Sequence, residues 1–155
     1  MHRPVHSEPG VIRLLGRSDT DWAQDKVTRK SRTCLHVLAD GCLLSSVVRR
    51  QSFIAMSSAE AEFGGLHIAA FSTFPFKMFF EWLGFRVLWH VETDGSAARA
   101  TAFRAGVGKV RHMDIRLMRT QDAVKRPGLK ADKVLGTENS AGLGTKRHSG
   151  PDHAE

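Results

Sequence analysis

Cysteine is scarce in this chain: only Cys34 and Cys42 occur, too few for a disulfide-stapled scaffold and without zinc-ribbon spacing. Cys34, His36 and Cys42 make three ligand types, but no fourth stands nearby at a recognised spacing, so a structural zinc is set aside. Long apolar runs are also missing. The greasiest stretch, Phe71 to Phe85, is interrupted by Pro75, Lys77 and Glu81, which argues against a membrane-spanning helix. The opening MHRPVHSEPG lacks the apolar core of a secretion signal. Together these absences predict a soluble intracellular protein, cytoplasmic or nuclear, in a reducing compartment. No internal repeat or low-complexity tract is present.

Acidic residues are few as well. Sixteen face 23 lysines and arginines, a formal net charge of +7, which favours a polyanionic partner, nucleic acid being the commonest. A hydrophobic fraction of 41% with 25% charged residues excludes a disordered chain. With 155 residues the chain suits one domain with one core. Residues 1–10 and 147–155 are expected to be disordered and residues 11–146 to form the domain.

The pattern along the chain predicts a mixed α/β order. Val11 to Leu15 reads as a strand running into the polar GRSDTDWAQD. Thr33 to Asp40 alternates weakly, and Asp40–Gly41 signals a hairpin into CLLSSVV, with RRQSFIAM continuing the strand or ending it. Ser57 to Phe85 is dense in apolar residues and fits a helix packed on a sheet. Gly64, Gly65 and Pro75 weaken that helix and predict a kink or break near Thr73. Arg86 to Asp94 reads as a buried strand, Gly95 to Arg104 and His112 to Val124 as helices, and Leu129 to Leu135 as a last strand. From Thr137 the chain is polar and glycine-rich.

Against this scarcity, three acidic clusters stand at the ends of these elements: SDTDW after the first strand, SSAEAE opening the main helix, and VETDGSAA ending the fourth strand. Carboxylates converging from separate elements suit a hard divalent cation. Each cluster also has an ordinary structural reading. Asp19 and Asp21 fit a solvated turn, Glu60 and Glu62 complement a helix dipole, and Asp94 before Gly95 fits a turn or a cap. Carboxylates more than about 10 Å apart in the fold would exclude a shared site.

The order and spacing of these stretches resemble the ribonuclease H domain that ends copia-type (Ty1/copia-like) retrotransposon Pol polyproteins. The matching segments are SDTDWAQDKVTRKS, RRQSFIAMSSAEAEF, ETDGSAA, GKVRHMDIR and GLGTK, and they cover most of Gly16 to Lys146. The resemblance implies a ribonuclease H-like α/β fold, a five-stranded mixed sheet with helices on both faces. It also implies metal-dependent hydrolysis of the RNA strand of RNA–DNA hybrids. Asp19, Glu62 and Asp94 would be the catalytic acids holding Mg2+ or Mn2+, two ions in a fully functional site, with Asp21 as fallback for Asp19. The capping box Ser57-Ser58-Ala59-Glu60 occupies Glu60 structurally. Glu62 projects about 200° around the helix from it, so one helix end serves both purposes.

Arg29, Lys30, Arg49 and Arg50 are candidate phosphate contacts, and His112 and Asp114 possible auxiliaries. The reverse-transcriptase domain of the same polyprotein is the implied partner, and the short segment ahead of the first strand fits a piece of such a polyprotein. The chain departs from the family at several points. Gly142 stands where the family has a fourth acid, with Glu138 or Asp114 as conceivable substitutes. Ser46 replaces a usual tryptophan, and Gly64, Gly65 and Pro75 occupy helix positions. These departures read as a diverged copy and leave a second reading open, a catalytically inactive hybrid-binding remnant.

Overall fold

The computed structural model describes residues 8–103, 122 and 128–145. Three strands come first: β1 (Val11–Asp21), β2 (Arg32–Ala39) and β3 (Cys42–Arg50). Helix α1 (Ser58–Trp82), strand β4 (Arg86–Thr93), helix α2 (Ser96–Phe103), strand β5 (Leu129–Lys133) and a short helix α3 (Gly142–Thr145) follow. The strands form one sheet in the order β3-β2-β1-β4-β5. β1, β2 and β3 are an antiparallel meander, whereas β4 runs parallel to β1 and β5 parallel to β4. The turn between β2 and β3 places Asp40 and Gly41 at φ of 47° and 84°, the left-handed pair a tight two-residue hairpin needs.

β1 is longer than its apolar start suggests. It runs on through Asp21, so the SDTD segment lies in the sheet and not in a turn. Polar groups are tolerated there because they are paired. The fully buried Ser18 hydroxyl donates to the Glu92 carbonyl, and the Thr20 and Thr33 hydroxyls share a 3.0 Å hydrogen bond. Pairing satisfies the desolvated groups that would otherwise cost about 1–3 kcal/mol each.

The two faces of the sheet are covered differently. Leu14, Gly16, Ser18 and Thr20 of β1, with Thr33, Leu35 and Val37 of β2, are buried. These residues turn to α1, whose Phe63, Leu66, Ala69 and Ala70 complete the core with Trp89 and Val91. Full burial of Phe63 and Leu66 contributes about 1.5–3 kcal/mol each. α2 packs beside α1, with Ala98 and Ala102 in the same core. On the opposite face lie Arg17, Asp19, Cys34 and His36, and there α3 rests on β1 and β2.

The break expected near Thr73 is absent, and α1 continues unbroken from Ser58 to Trp82 with Pro75 inside it. Thr73 is the reason on the inner side. Its hydroxyl donates toward the Ala69 and Ala70 carbonyls and accepts the Trp89 indole N–H at 2.7 Å, tying this turn to β4. Pro75 itself is exposed. The glycines are not lapses in a helix either. A Cβ on Gly65 would lie 2.5 Å from the Thr20 hydroxyl, and one on Gly64 would lie 2.5 Å from the Phe53 ring. From the sheet side, a Cβ on Gly16 would meet Thr73 Cγ2 at 2.7 Å and the Ala69 carbonyl at 3.2 Å. Helix and strand therefore sit closer than side chains would permit.

The outer half of α1 is a different surface. Phe74, Met78, Phe79 and Trp82 are exposed, Trp82 by 79%, and an apolar hollow of about 500 Å³ opens between Leu44 of β3 and Pro75, Phe76, Phe79 and Phe80. No helix among the described residues is long and apolar enough to cross a membrane.

Gly16→Ala is expected to destabilise the domain by about 1–3 kcal/mol, since a stiff β-branched neighbour and a backbone carbonyl must give way. Urea unfolding of the two proteins at equal m-value checks this.

Candidate metal centre

The parallel pairing of β1 with β4 sets Ser18 opposite Thr93. The next residues, Asp19 within β1 and Asp94 just past β4, are therefore neighbours at one end of the sheet. α1 supplies the third acid. Its N-terminus is fixed by Ser57, whose hydroxyl accepts the Glu60 N–H at 3.2 Å, while the Glu60 carboxylate accepts the Met56 N–H at 2.7 Å. The buried Glu60 is thereby spent on the helix start. Glu62 points to the sheet, where the Thr93 hydroxyl donates to it at 3.2 Å. Gly95 makes room, since a Cβ there would come within 3.1 Å of the Glu62 side chain.

One oxygen each from Asp19, Glu62 and Asp94 lies within 4.8 Å of the others, all three side chains half-buried. This is well inside the separation that would exclude a shared ion, and an all-oxygen set of this kind suits Mg2+ or Mn2+ rather than a soft metal. Burial, then the charges of Asp94 and Asp19, push the Glu62 carboxyl up to about 8, against the smaller opposing effect of hydrogen bonds from Thr93 and the Thr20 backbone. A bound dication would reverse that balance by favouring the charged form.

Neither Asp21 nor Glu138 belongs to this cluster. Glu138 is exposed, and its carbonyl accepts from Arg17. Gly142 does face the site: a Cβ built on it would stand 3.9 Å from the Asp19 carboxylate. The position that the resemblance assigns to a fourth acid is thus beside Asp19 and carries no side chain. His112 and Asp114 lie outside the described residues, and of the helix expected from His112 to Val124 only Asp122, which is helical, is described.

Several supporting residues escaped the sequence reading. The Thr145 hydroxyl on α3 donates to Asp19, and the Thr145 carbonyl accepts from the Gln24 side chain at 3.1 Å. Asn139 donates to the Ser18 carbonyl at 3.1 Å, clamping the segment before α3 across β1. Gln51, buried after β3, ties α1 to β2 by donating to the Ala61 carbonyl and the Thr33 hydroxyl. Only the GLGTK match hinted at α3, because a polar, glycine-rich segment carries no helical periodicity. Beside this segment His36 contacts the Ser140 hydroxyl at 3.0 Å, and burial and then Arg17 lower its pKa.

Of the basic residues named from the sequence, Lys30, Arg49 and Arg50 line one surface hollow and Arg29 does not. Arg29 is exposed with φ of 55°, and its N–H bonds the Asp25 carbonyl at 2.7 Å, a loop-closing role.

Glu62 keeps its proton to about pH 8 in the folded chain, against 4.5 as the ordinary value. The stability this contributes is full below the ordinary value and falls as pH rises through that window. Metal-free protein is therefore expected to lose stability between these limits, with Glu62→Gln flattening the curve, as followed by thermal unfolding against pH. Mn2+ binding at neutral pH is expected to release close to one proton, read by calorimetry in buffers of different ionisation enthalpy.

No protein-family model and no curated protein matches the chain. Solved structures similar to it include LC11-RNase H1, isolated from compost by a metagenomic approach. That protein shares 13% identity at a TM-score of 0.60, over 87% of this chain and 92% of its own. The N-terminal RNase H domain of Rv2228c from Mycobacterium tuberculosis, solved as a maltose-binding-protein fusion, shares 11% identity at a TM-score of 0.55, over 83% and 86%. At such identities the likeness is one of architecture, and with the five-stranded mixed sheet above it shows that this chain has a ribonuclease H-like fold.

Proposed function

We propose that residues 11–146 form a metal-dependent ribonuclease H domain that hydrolyses the RNA strand of RNA–DNA hybrids and derives from a copia-type retrotransposon Pol polyprotein. The observation that carries this reading is the meeting of Asp19, Glu62 and Asp94 from three elements within 4.8 Å on a fold shared with ribonucleases H. Mg2+ or Mn2+ held by the three acids would supply activation of water and charge stabilisation at the leaving oxygen.

The chain's own residues do the rest. Thr145 orients the Asp19 carboxylate, and Thr93 orients Glu62. The Thr93 hydroxyl also accepts the Gly95 N–H at 3.3 Å, fixing the backbone just past Asp94. Glu62 would have to be ionised to hold a cation, so activity is expected to rise with pH toward 8. Lys30, Arg49 and Arg50 suit phosphate contacts, and 2′-hydroxyl recognition in the minor groove would distinguish the RNA strand. His112 and Asp114 remain auxiliaries on this reading. The exposed aromatic side of α1 supports docking to a reverse-transcriptase domain of the same polyprotein, in an intracellular setting, cytoplasmic or nuclear.

Gly142 favours a second reading, an inactive hybrid-binding remnant. A second ion beside Asp19 would find no carboxylate from that side. Cleavage of an end-labelled hybrid with Mg2+ separates the two. The first reading expects cleavage abolished by chelator, at least about 100-fold slower in Asp94→Asn, and about tenfold or more faster in Gly142→Asp. Cleavage indifferent to chelator and to Asp94→Asn would sink it. Salt-dependent binding without cleavage, in wild type and Gly142→Asp alike, establishes the remnant.

A further inference from the structure

A surface hollow of about 610 Å³ opens where the loop between β1 and β2 meets the end of β3. Five cations line it, Lys26, Lys30, Arg32, Arg49 and Arg50, against one acid, Asp25. That acid is committed elsewhere. One Asp25 oxygen accepts the N–H groups of Val27 and Thr28 at 3.0 Å, and the other accepts from Arg50 at 3.0 Å. The loop is thus built to hold its shape, and among the described residues no ion pair engages Lys26, Lys30 or Arg32. Like charges gathered around one hollow repel one another, and a polyanion offsets that cost.

The hollow shares a face and an end of the sheet with the metal centre. Asp19 pairs with Cys34 and Cys34 with Val48, which lines the hollow. Asp21, Arg32 and Arg50 form the next row. Residues directly opposite one another, and those two apart along a strand, project to the same side. Asp19 and Val48 are two strand spacings apart, about 10 Å. A nucleic-acid strand advances about 3.4 Å per nucleotide, so this span is about three nucleotides. The two places are also joined by bonds: Gln24, in the hollow's wall, donates to the Thr145 carbonyl, and the Thr145 hydroxyl donates to Asp19.

We propose that this hollow is a backbone-anchoring site that takes phosphates of the cleaved strand about three nucleotides from the scissile bond, with Lys26, Lys30 and Arg32 as the principal contacts. It rests on the hybrid-cleaving reading for the identity of the strand. Through Gln24 and Thr145, the anchored strand steadies the carboxylate that would hold the metal.

The test uses the whole chain with Asp94→Asn, so that hybrid is bound and not consumed. The triple variant Lys26→Ala/Lys30→Ala/Arg32→Ala is compared with it by fluorescence anisotropy on a short hybrid across a salt series. The expected result is about tenfold weaker binding at low salt, with the slope of log K against log salt reduced by about 2 to 3. A neutral methylphosphonate placed three nucleotides from the cleavage position in the RNA strand should weaken binding to the unaltered hollow and add nothing in the triple variant. Unchanged circular dichroism and, in the Asp94-containing protein, unchanged Mn2+ affinity exclude misfolding as the cause. Equal slopes and affinities, or fully additive losses, overturn the anchor. If wild type cleaves hybrid while the triple variant keeps its slope, the anchor alone falls. If nothing cleaves yet the slope drops in the triple variant, the hollow stands as a backbone-binding site, and its assignment to a cleaved strand falls with the ribonuclease reading. No nucleic-acid binding at all overturns both.

Discussion

The close approach of α1 to β1 is the constraint on which the rest depends. Gly65 sits against Thr20, and Gly16 sits beneath Thr73, at distances where a methyl group would collide. A helix carrying alanines at this seam would have to lift from the sheet, and its first turns would lift with it. Glu62 lies on those turns, three residues before Gly65, while Asp19 lies on the facing strand. The reach from helix to sheet, and with it the carboxylate cluster, is therefore set by missing Cβ atoms. Residues that lower intrinsic helix propensity are retained for what they let come near.

Proximity of three carboxylates is unfavourable by itself, and the surroundings show how the fold lives with it. One acid, Glu62, keeps its proton near neutrality, which removes most of the mutual repulsion. Thr145 and Thr93 hold the carboxylates in place with neutral donors. They stabilise position without replacing the charge that a cation would bring. The cationic hollow lies to one side, about two strands away, so its lysines and arginines do not fill the acidic centre themselves. Separation of the two signs keeps a cation site and a polyanion site open on one face.

How much of this was legible in the chain follows from the physics of each element. The Asp40–Gly41 hairpin, the Ser57 cap with Glu60, and the strands that begin at Arg86 and Leu129 are local signals, and they read directly. The three acids could be named because the order and spacing of their segments resemble a known family, whereas each cluster alone also had an ordinary structural reading. The extent of β1 was not legible, since Ser18 and Thr20 look like loop residues until their partners across the sheet are known. The glycines of α1 read as defects because propensity is local, whereas Gly65 is needed by its contact with Thr20, 45 positions earlier, and Gly64 by its contact with Phe53 outside the helix. α3 was missed for a similar reason, as Thr145 gains its meaning from Asp19 at the other end of the chain.

The outer half of α1 has the chemistry of an interior on the outside of a domain. Phe74, Met78, Phe79 and Trp82 present aromatic and thioether surface to water beside an edge strand that exposes Leu43, Val47 and Val48. The solution behaviour of the free domain is governed by this side. Kosmotropic salt should drive its self-association and cooling should weaken it, whereas its positive charge keeps copies apart at low salt.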